Sequence, residues 1–189
     1  MQQSLGSAAD GQAPLRVFFG LWPSAETAAR IMEWAHAAHA LFGGRVMRPE
    51  TLHLTLAFLG ATPAARVAEL ARAAASWRVH VGPMTLSRFG RFAGPRIVWA
   101  GPGQDDAQHL DWLHTLHDSL WTHLEEMGWE RPDMAFRPHI SLLRKAEPGD
   151  VQGLQRPPIV WTPERCVLVA STPGEGGSFY RELARLPIS

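Results

Sequence analysis

The sequence predicts an α+β or α/β fold made of two related halves. Three observations carry this. Short β-branched and aromatic runs alternate with longer amphipathic stretches along all 189 residues. Each half runs strand, helix, strand. A helical pattern also repeats, with Glu33-Trp34-x-His36-x-x-His39 answered 78 residues later by Asp111-Trp112-x-His114-x-x-His117.

Residues 1–14 are small and polar, without the basic start and apolar stretch of a signal peptide. They are expected to be a flexible tail, leaving 15–189 as a single two-lobed domain. Arg16-Val17-Phe18-Phe19-Gly20 is too short and too aromatic for anything but a strand. A helix is predicted over residues 24–42, with Ser24 as N-cap and Gly43-Gly44 as its stop. Leu52–Leu59 reads as the next strand. Residues 63–77 read as an amphipathic helix with proline at its start, and 83–92 as strand.

The second half opens on Arg96-Ile97-Val98-Trp99-Ala100, offset by 80 residues from the first strand. A helix is predicted over 105–127, stopped by Gly128, then a strand over His139–Leu143 directly after Pro138. A short helical counterpart is expected near Asp150–Leu154, and strands over 164–170 and 178–186. Two quasi-equivalent lobes would form a cleft between them.

Composition narrows the function. No apolar run is long enough to span a bilayer, so no membrane association is expected. The formal net charge is zero, which disfavours strong non-specific binding of long nucleic acid but allows a phosphate ligand or an RNA end. Of 18 basic residues only Lys145 is lysine, a bias spread over the whole chain. Cys166 is the single cysteine, read as a buried thiol in a cytoplasmic protein.

Two tetrapeptides carry the chemistry, His53-Leu54-Thr55-Leu56 and His139-Ile140-Ser141-Leu142, with histidines 86 residues apart. On a strand, positions i and i+2 share a face. His53 therefore stands beside Thr55, and His139 beside Ser141, while the intervening leucines and isoleucine turn to the core. Two imidazoles with ordinary pKa near ~6.5 can serve as acid and base around neutral pH. The hydroxyls can donate to phosphate oxygens where charge develops. This set suits hydrolysis of a phosphodiester, with no metal or other cofactor required.

The stretches RVFFGLWP (16–23), RPETLHLTLAFLG (48–60), FRPHISLLRKA (136–146) and GGSFYRELARL (176–186) resemble the two-histidine phosphoesterase superfamily, and within it the RNA 2',3'-cyclic phosphodiesterases, or 2'-5' RNA ligase-like proteins. The resemblance implies a bilobal, pseudo-two-fold α+β fold. In it two antiparallel sheets flank a central cleft, with helices outside. It implies metal-independent hydrolysis of a 2',3'-cyclic phosphate to a 2'-phosphate, with RNA ends or small cyclic nucleotides as substrates. It further implies His53 as general acid and His139 as base, though pseudo-symmetry leaves the reverse assignment open. Where the family commonly has threonine in the second motif this chain has Ser141, whose freer χ1 predicts looser positioning.

Arg144, five residues after His139, is the place where the family often sets an arginine near the phosphate. Phe58, five residues after His53, and Trp22 are candidates to stack on a base at the cleft mouth, with core packing as the bland reading for each. Tyr180 is expected to make a structural hydrogen bond. The paired helical histidines lack the ligand spacing of a metal motif, and shared packing or common descent explains them more simply. Two other readings stay open: the reverse reaction, 2'-5' RNA ligation, and a non-catalytic nucleotide- or RNA-binding module using the same cleft. A duplicated chain is expected to work as a monomer.

Overall fold

The computed structural model describes residues 13–189, so the tail expected over 1–14 lies outside the described residues but for its last two. The chain begins with β1 (Leu15–Trp22) and α1 (Ala25–Phe42). The side-chain oxygen of Ser24 accepts the Thr27 amide at 3.2 Å, the N-cap that the sequence predicts. After α1 come β2 (Arg45–Val46), a 3-10 turn at Pro49–Thr51, β3 (Leu54–Thr62) and α2 (Ala64–Ala74). Then follow β4 (Met84–Leu86), β5 (Arg88–Phe92), β6 (Ile97–Gly101) and α3 (Asp111–Glu126). The chain ends with β7 (Ile140–Arg144), β8 (Ile159–Trp161), β9 (Arg165–Gly174) and β10 (Gly177–Leu186).

Three expectations need correction. The helix predicted over 105–127 splits into a 3-10 turn at Asp106–His109 and α3. The helical counterpart expected near Asp150–Leu154 is turn, closed by the Asp150 carboxylate on the Gln152 amide at 2.8 Å. The strands do not form two separate main sheets. One sheet of eight strands runs β10-β9-β1-β3-β7-β6-β5, with β2 paired to β7, and β4 and β8 form a small second sheet. The halves of the large sheet meet where β3 touches β7 through a single antiparallel pair, Leu54 with Ile140.

The sheet is mostly antiparallel and has one helix-covered face. Val17, Phe19 and Leu21 alternate inward on β1, and Leu54, Leu56, Ile140 and Leu142 do so on the two motif strands. They pack on Ile31, Trp34 and Ala38 of α1 and on Leu113, Leu120 and Leu124 of α3. The helices cross over: α1 lies against β7 and α3 against β3, so each half of the core is closed by the other half's helix. Among the described residues no helix is long and apolar enough to cross a membrane.

The repeated helix pattern does not reflect shared packing. Trp34 is buried and stacks on Phe89 at 4.5 Å, whereas Trp112 is half-buried and donates its indole N–H to the Pro83 carbonyl at 3.0 Å. His36, His39 and His114 are exposed, but His117 is buried and stacks on Phe136 at 4.0 Å. Its Nδ1 accepts an Arg131 N–H at 3.3 Å, and burial, then the Arg131 charge, lowers its pKa.

Candidate active site

The face of the sheet turned away from the helices carries the polar residues of both tetrapeptides. The two halves build it by the same local device. His53 donates Nδ1–H to the Thr51 carbonyl at 2.7 Å, and His139 donates Nδ1–H to the Arg137 carbonyl at 2.6 Å. A carbonyl can only accept, so each bond fixes the tautomer and leaves Nε2 as the nitrogen free for chemistry. Thr51 sits in the 3-10 turn before β3, and Arg137 lies in the irregular segment before Pro138; in both cases the carbonyl two residues earlier points back at the imidazole.

Antiparallel pairing at Leu54 and Ile140 sets His53 beside Ser141 on one side of that pair and Thr55 beside His139 on the other. Each half also has a β-bulge next to its motif. The β1–β3 register shifts between Phe19 and Gly20, so that Thr55 faces Gly20. The β6–β7 register shifts between Val98 and Trp99, so that Ser141 faces Trp99. Bulges raise local twist and re-aim side chains. The hydroxyls differ. Thr55 Oγ1 is hydrogen-bonded to His53 Nε2 at 3.1 Å, donating to the neutral ring and accepting from the protonated one, and no such bond joins Ser141 to His139 among the described residues.

Aromatic rings wall both histidines. Trp22 stacks on His53 with centroids 4.8 Å apart and planes 18° apart, Phe18 tilts against it at 4.8 Å, and Tyr180 meets it edge-on at 5.4 Å. Phe92 meets His139 edge-on at 4.9 Å, and Trp99 tilts against it at 5.9 Å. This corrects the expectation for Trp22. Phe18, Gly20 and Trp22 alternate onto the site face of β1, and Trp22 lies under His53, 4 % exposed, with its indole N–H on the Glu50 carbonyl at 3.1 Å. It backs the imidazole and does not stand at the cleft mouth.

Phe58 is half exposed. The register with β1 passes over Leu56 and Leu59, so Phe58 turns to the same face as Thr55 despite the odd spacing. It forms a ridge between two cavities. One, of about 510 Å³, is lined by His53, Arg144 and Tyr180; the other, of about 760 Å³, is lined by His139, Phe92, Met134 and Phe136. Thr55 and Phe58 line both.

Burial lowers the pKa of both histidines. His53 falls to about 4, with the Arg144 and His139 charges adding to the effect of burial and the Thr51 bond opposing it. His139 is lowered by burial and by Arg144, against the Arg137 bond. The Arg144 charge thus acts on both imidazoles. Its backbone is fixed by pairing with Arg45 across β2 and β7, and the next carbonyls are held by Arg96, which donates to Lys145 and Ala146 at 3.2 Å each. Tyr180, expected only to make a structural bond, lines the site. Burial raises its pKa, opposed by Arg144, Arg45 and Arg48. Cys166 is buried on the hydrophobic side, and its pKa is pushed up to about 12, so it stays a thiol.

Glycines make room for the tryptophans. A Cβ on Gly90, opposite Trp99 in the β5–β6 pair, would lie inside the indole ring. Gly90→Ala is therefore expected to displace Trp99 and cost about 1–3 kcal/mol of stability, the usual range for overpacking. The check is a thermal melt, and an unchanged Tm would show that the indole can move without cost.

The chain belongs to the LigT-like phosphoesterase family, whose model matches residues 21–99, a span that includes the first tetrapeptide. The RNA 2',3'-cyclic phosphodiesterase of Escherichia coli K12 is 32% identical over 133 residues, covering 70% of this chain and 73% of that protein. The enzyme of the same name from Thermus thermophilus is 26% identical over 194 residues, covering 92% and 90%. A crystal structure of E. coli LigT complexed with 3'-AMP superimposes with a TM-score of 0.75 at 29% identity, covering 93% of this chain and 99% of that one.

Proposed function

We propose that this chain hydrolyses 2',3'-cyclic phosphates at RNA ends, or on small cyclic nucleotides, to the 2'-phosphate. The observation that carries the reading is the matched pair of histidines. Each is tied through Nδ1–H to a carbonyl two residues earlier, and both rest on one sheet face within reach of the Arg144 charge. The named relatives are RNA 2',3'-cyclic phosphodiesterases, which supports the same substrate class.

In the proposed reaction a water oxygen attacks phosphorus while the bond from phosphorus to the 3' oxygen breaks. His139 Nε2 takes the water proton, and His53 Nε2, protonated beforehand, gives its proton to the departing 3' oxygen. In-line displacement needs the two groups on opposite sides of phosphorus, which two pseudo-two-fold halves supply. The cationic cavity on the His53 side favours keeping the nucleotide, and so its 3' oxygen, on that side. Thr55, Ser141 and Arg144 stabilise the charge that builds on the non-bridging oxygens. Both proton transfers are assigned to histidine, so the scheme calls for no metal. One chain carries both histidines, in keeping with a monomer acting on RNA ends in the cytoplasm.

The test is incubation with a 2',3'-cyclic mononucleotide and a cyclic-phosphate-ended oligonucleotide in EDTA, with the terminal phosphate of the product resolved. Conversion to the 2'-phosphate is expected. Binding without turnover would make the chain a binding module, and loss of activity on chelation would bring in a metal.

A further inference from the structure

Accepting that the cyclic phosphate lies between His53 and His139, the cations beside it exceed what one phosphate needs. Arg16, Arg45, Arg144 and Lys145 line the cavity of about 510 Å³, and no carboxylate is among its lining residues. This is in a chain of zero formal net charge. Five arginines outside the cavity have acidic partners: Arg48 with Glu50, Arg96 with Glu147, Arg131 with Asp118, and Arg165 and Arg185 with Glu182. The four cavity cations have none among the described residues.

Two of them are also forced together. Arg45 pairs directly with Arg144 across the β2–β7 ladder. Like charges opposite one another on adjacent strands destabilise a sheet unless an anion lies between them. The pair is held all the same, because Arg45 donates to the Gly176 carbonyl and Arg48 donates to the Ser178 carbonyl at 2.7 Å. These bonds pin the β9–β10 hairpin as the far wall of the cavity. Arg16 lies across the mouth, its guanidinium 5.3 Å from the centre of the Phe58 ring.

We propose that Arg16, Arg45 and Lys145 form a second phosphate subsite, which takes the phosphate attached to the 5' oxygen of the terminal ribose while Arg144 serves the cyclic phosphate. The subsite makes the chain selective for nucleotides that carry a phosphate on both sides of that ribose, as every RNA ending in a cyclic phosphate does and a cyclic mononucleotide with a free 5' hydroxyl does not. The phosphate is recognised by charge and hydrogen bonding, with no reading of the upstream base.

Three substrates test this: adenosine 2',3'-cyclic phosphate, its 5'-phosphorylated form, and the adenosine dinucleotide ending in a cyclic phosphate. The two with a 5' phosphate are expected to show kcat/KM about tenfold above the first, a gain that fades with added salt. In the double variant Arg16→Gln/Lys145→Gln that ratio is expected to fall towards one. Equal kcat/KM for the 5'-hydroxyl and 5'-phosphate forms overturns the subsite, as does a ratio unchanged in the double variant. A gain confined to the dinucleotide also overturns it, in favour of base stacking. Absence of turnover on all three would refute the hydrolase reading alone. The subsite would still be judged by calorimetry, with adenosine 2',5'-bisphosphate binding more tightly than adenosine 2'-phosphate only if the subsite exists.

Discussion

His53→Ala and His139→Ala are each expected to cut kcat by about 10²–10⁴-fold, the range for losing a positioned general acid or base. The double variant should be little worse than the poorer single one, because two groups acting on one transition state do not contribute additively. Folding should survive at His139, which is half-buried and whose bond to Arg137 lies at the cleft rim. At His53 the imidazole fills the space between Trp22 and Tyr180, so alanine leaves a gap there. His53→Gln is the companion variant: it fills most of that volume and titrates no proton. A melt within a few degrees of wild type, together with lost turnover on a 2',3'-cyclic nucleotide, assigns the loss to chemistry. Substantial turnover retained in both single variants would remove the two-histidine scheme.

The tetrapeptides were legible because a strand's period of two is a strong constraint: once His53 and Thr55 lie on a β-strand, their common face follows. The same alternation makes Phe18, Gly20 and Trp22 one stripe, and it could have placed Trp22 beneath the histidine instead of at the mouth. Phe58 defeats alternation, because its facing depends on residues passed over in the β1–β3 register, which local sequence does not display. Arg45 was missed for a related reason. Its role depends on pairing with Arg144, 99 residues away, through a strand of two residues with too little pattern to read. The repeat was legible and its packing was not. Matched Trp34 and Trp112 enter different surroundings: one meets the Phe89 ring and the other the Pro83 carbonyl, and neither contact is visible in the repeated pattern. The separate sheets implied by resemblance become one by a single residue pair, too local a feature to leave a mark in the sequence.

Arg144→Met is expected to have the other large effect, and to show it in two ways. Loss of a charge aimed at developing negative oxygens should lower kcat/KM by about 10²–10³-fold. The pH profile should also move. The scheme needs one histidine protonated and one neutral, and kcat/KM reports the free enzyme. There the pKa of His53 is about 4 and that of His139 lies below 6.5, so the wild-type bell should sit on the acid side of 6.5 and fall as pH rises through the higher limb. The two limbs belong to the coupled pair, so this holds whichever histidine carries the proton. The Arg144 charge lowers both values, so removing it should raise both limbs and move the bell towards neutral pH. Tyr180 does not interfere, since burial holds its hydroxyl protonated well above this range. Arg144→Lys separates the contributions: it keeps the charge and loses the planar fork, so kcat/KM should fall while the limbs stay near their wild-type positions. Limbs that fail to move in the methionine variant would mean that Arg144 does not set the protonation of the pair. Its place opposite Arg45 would then have to be explained by phosphate binding alone.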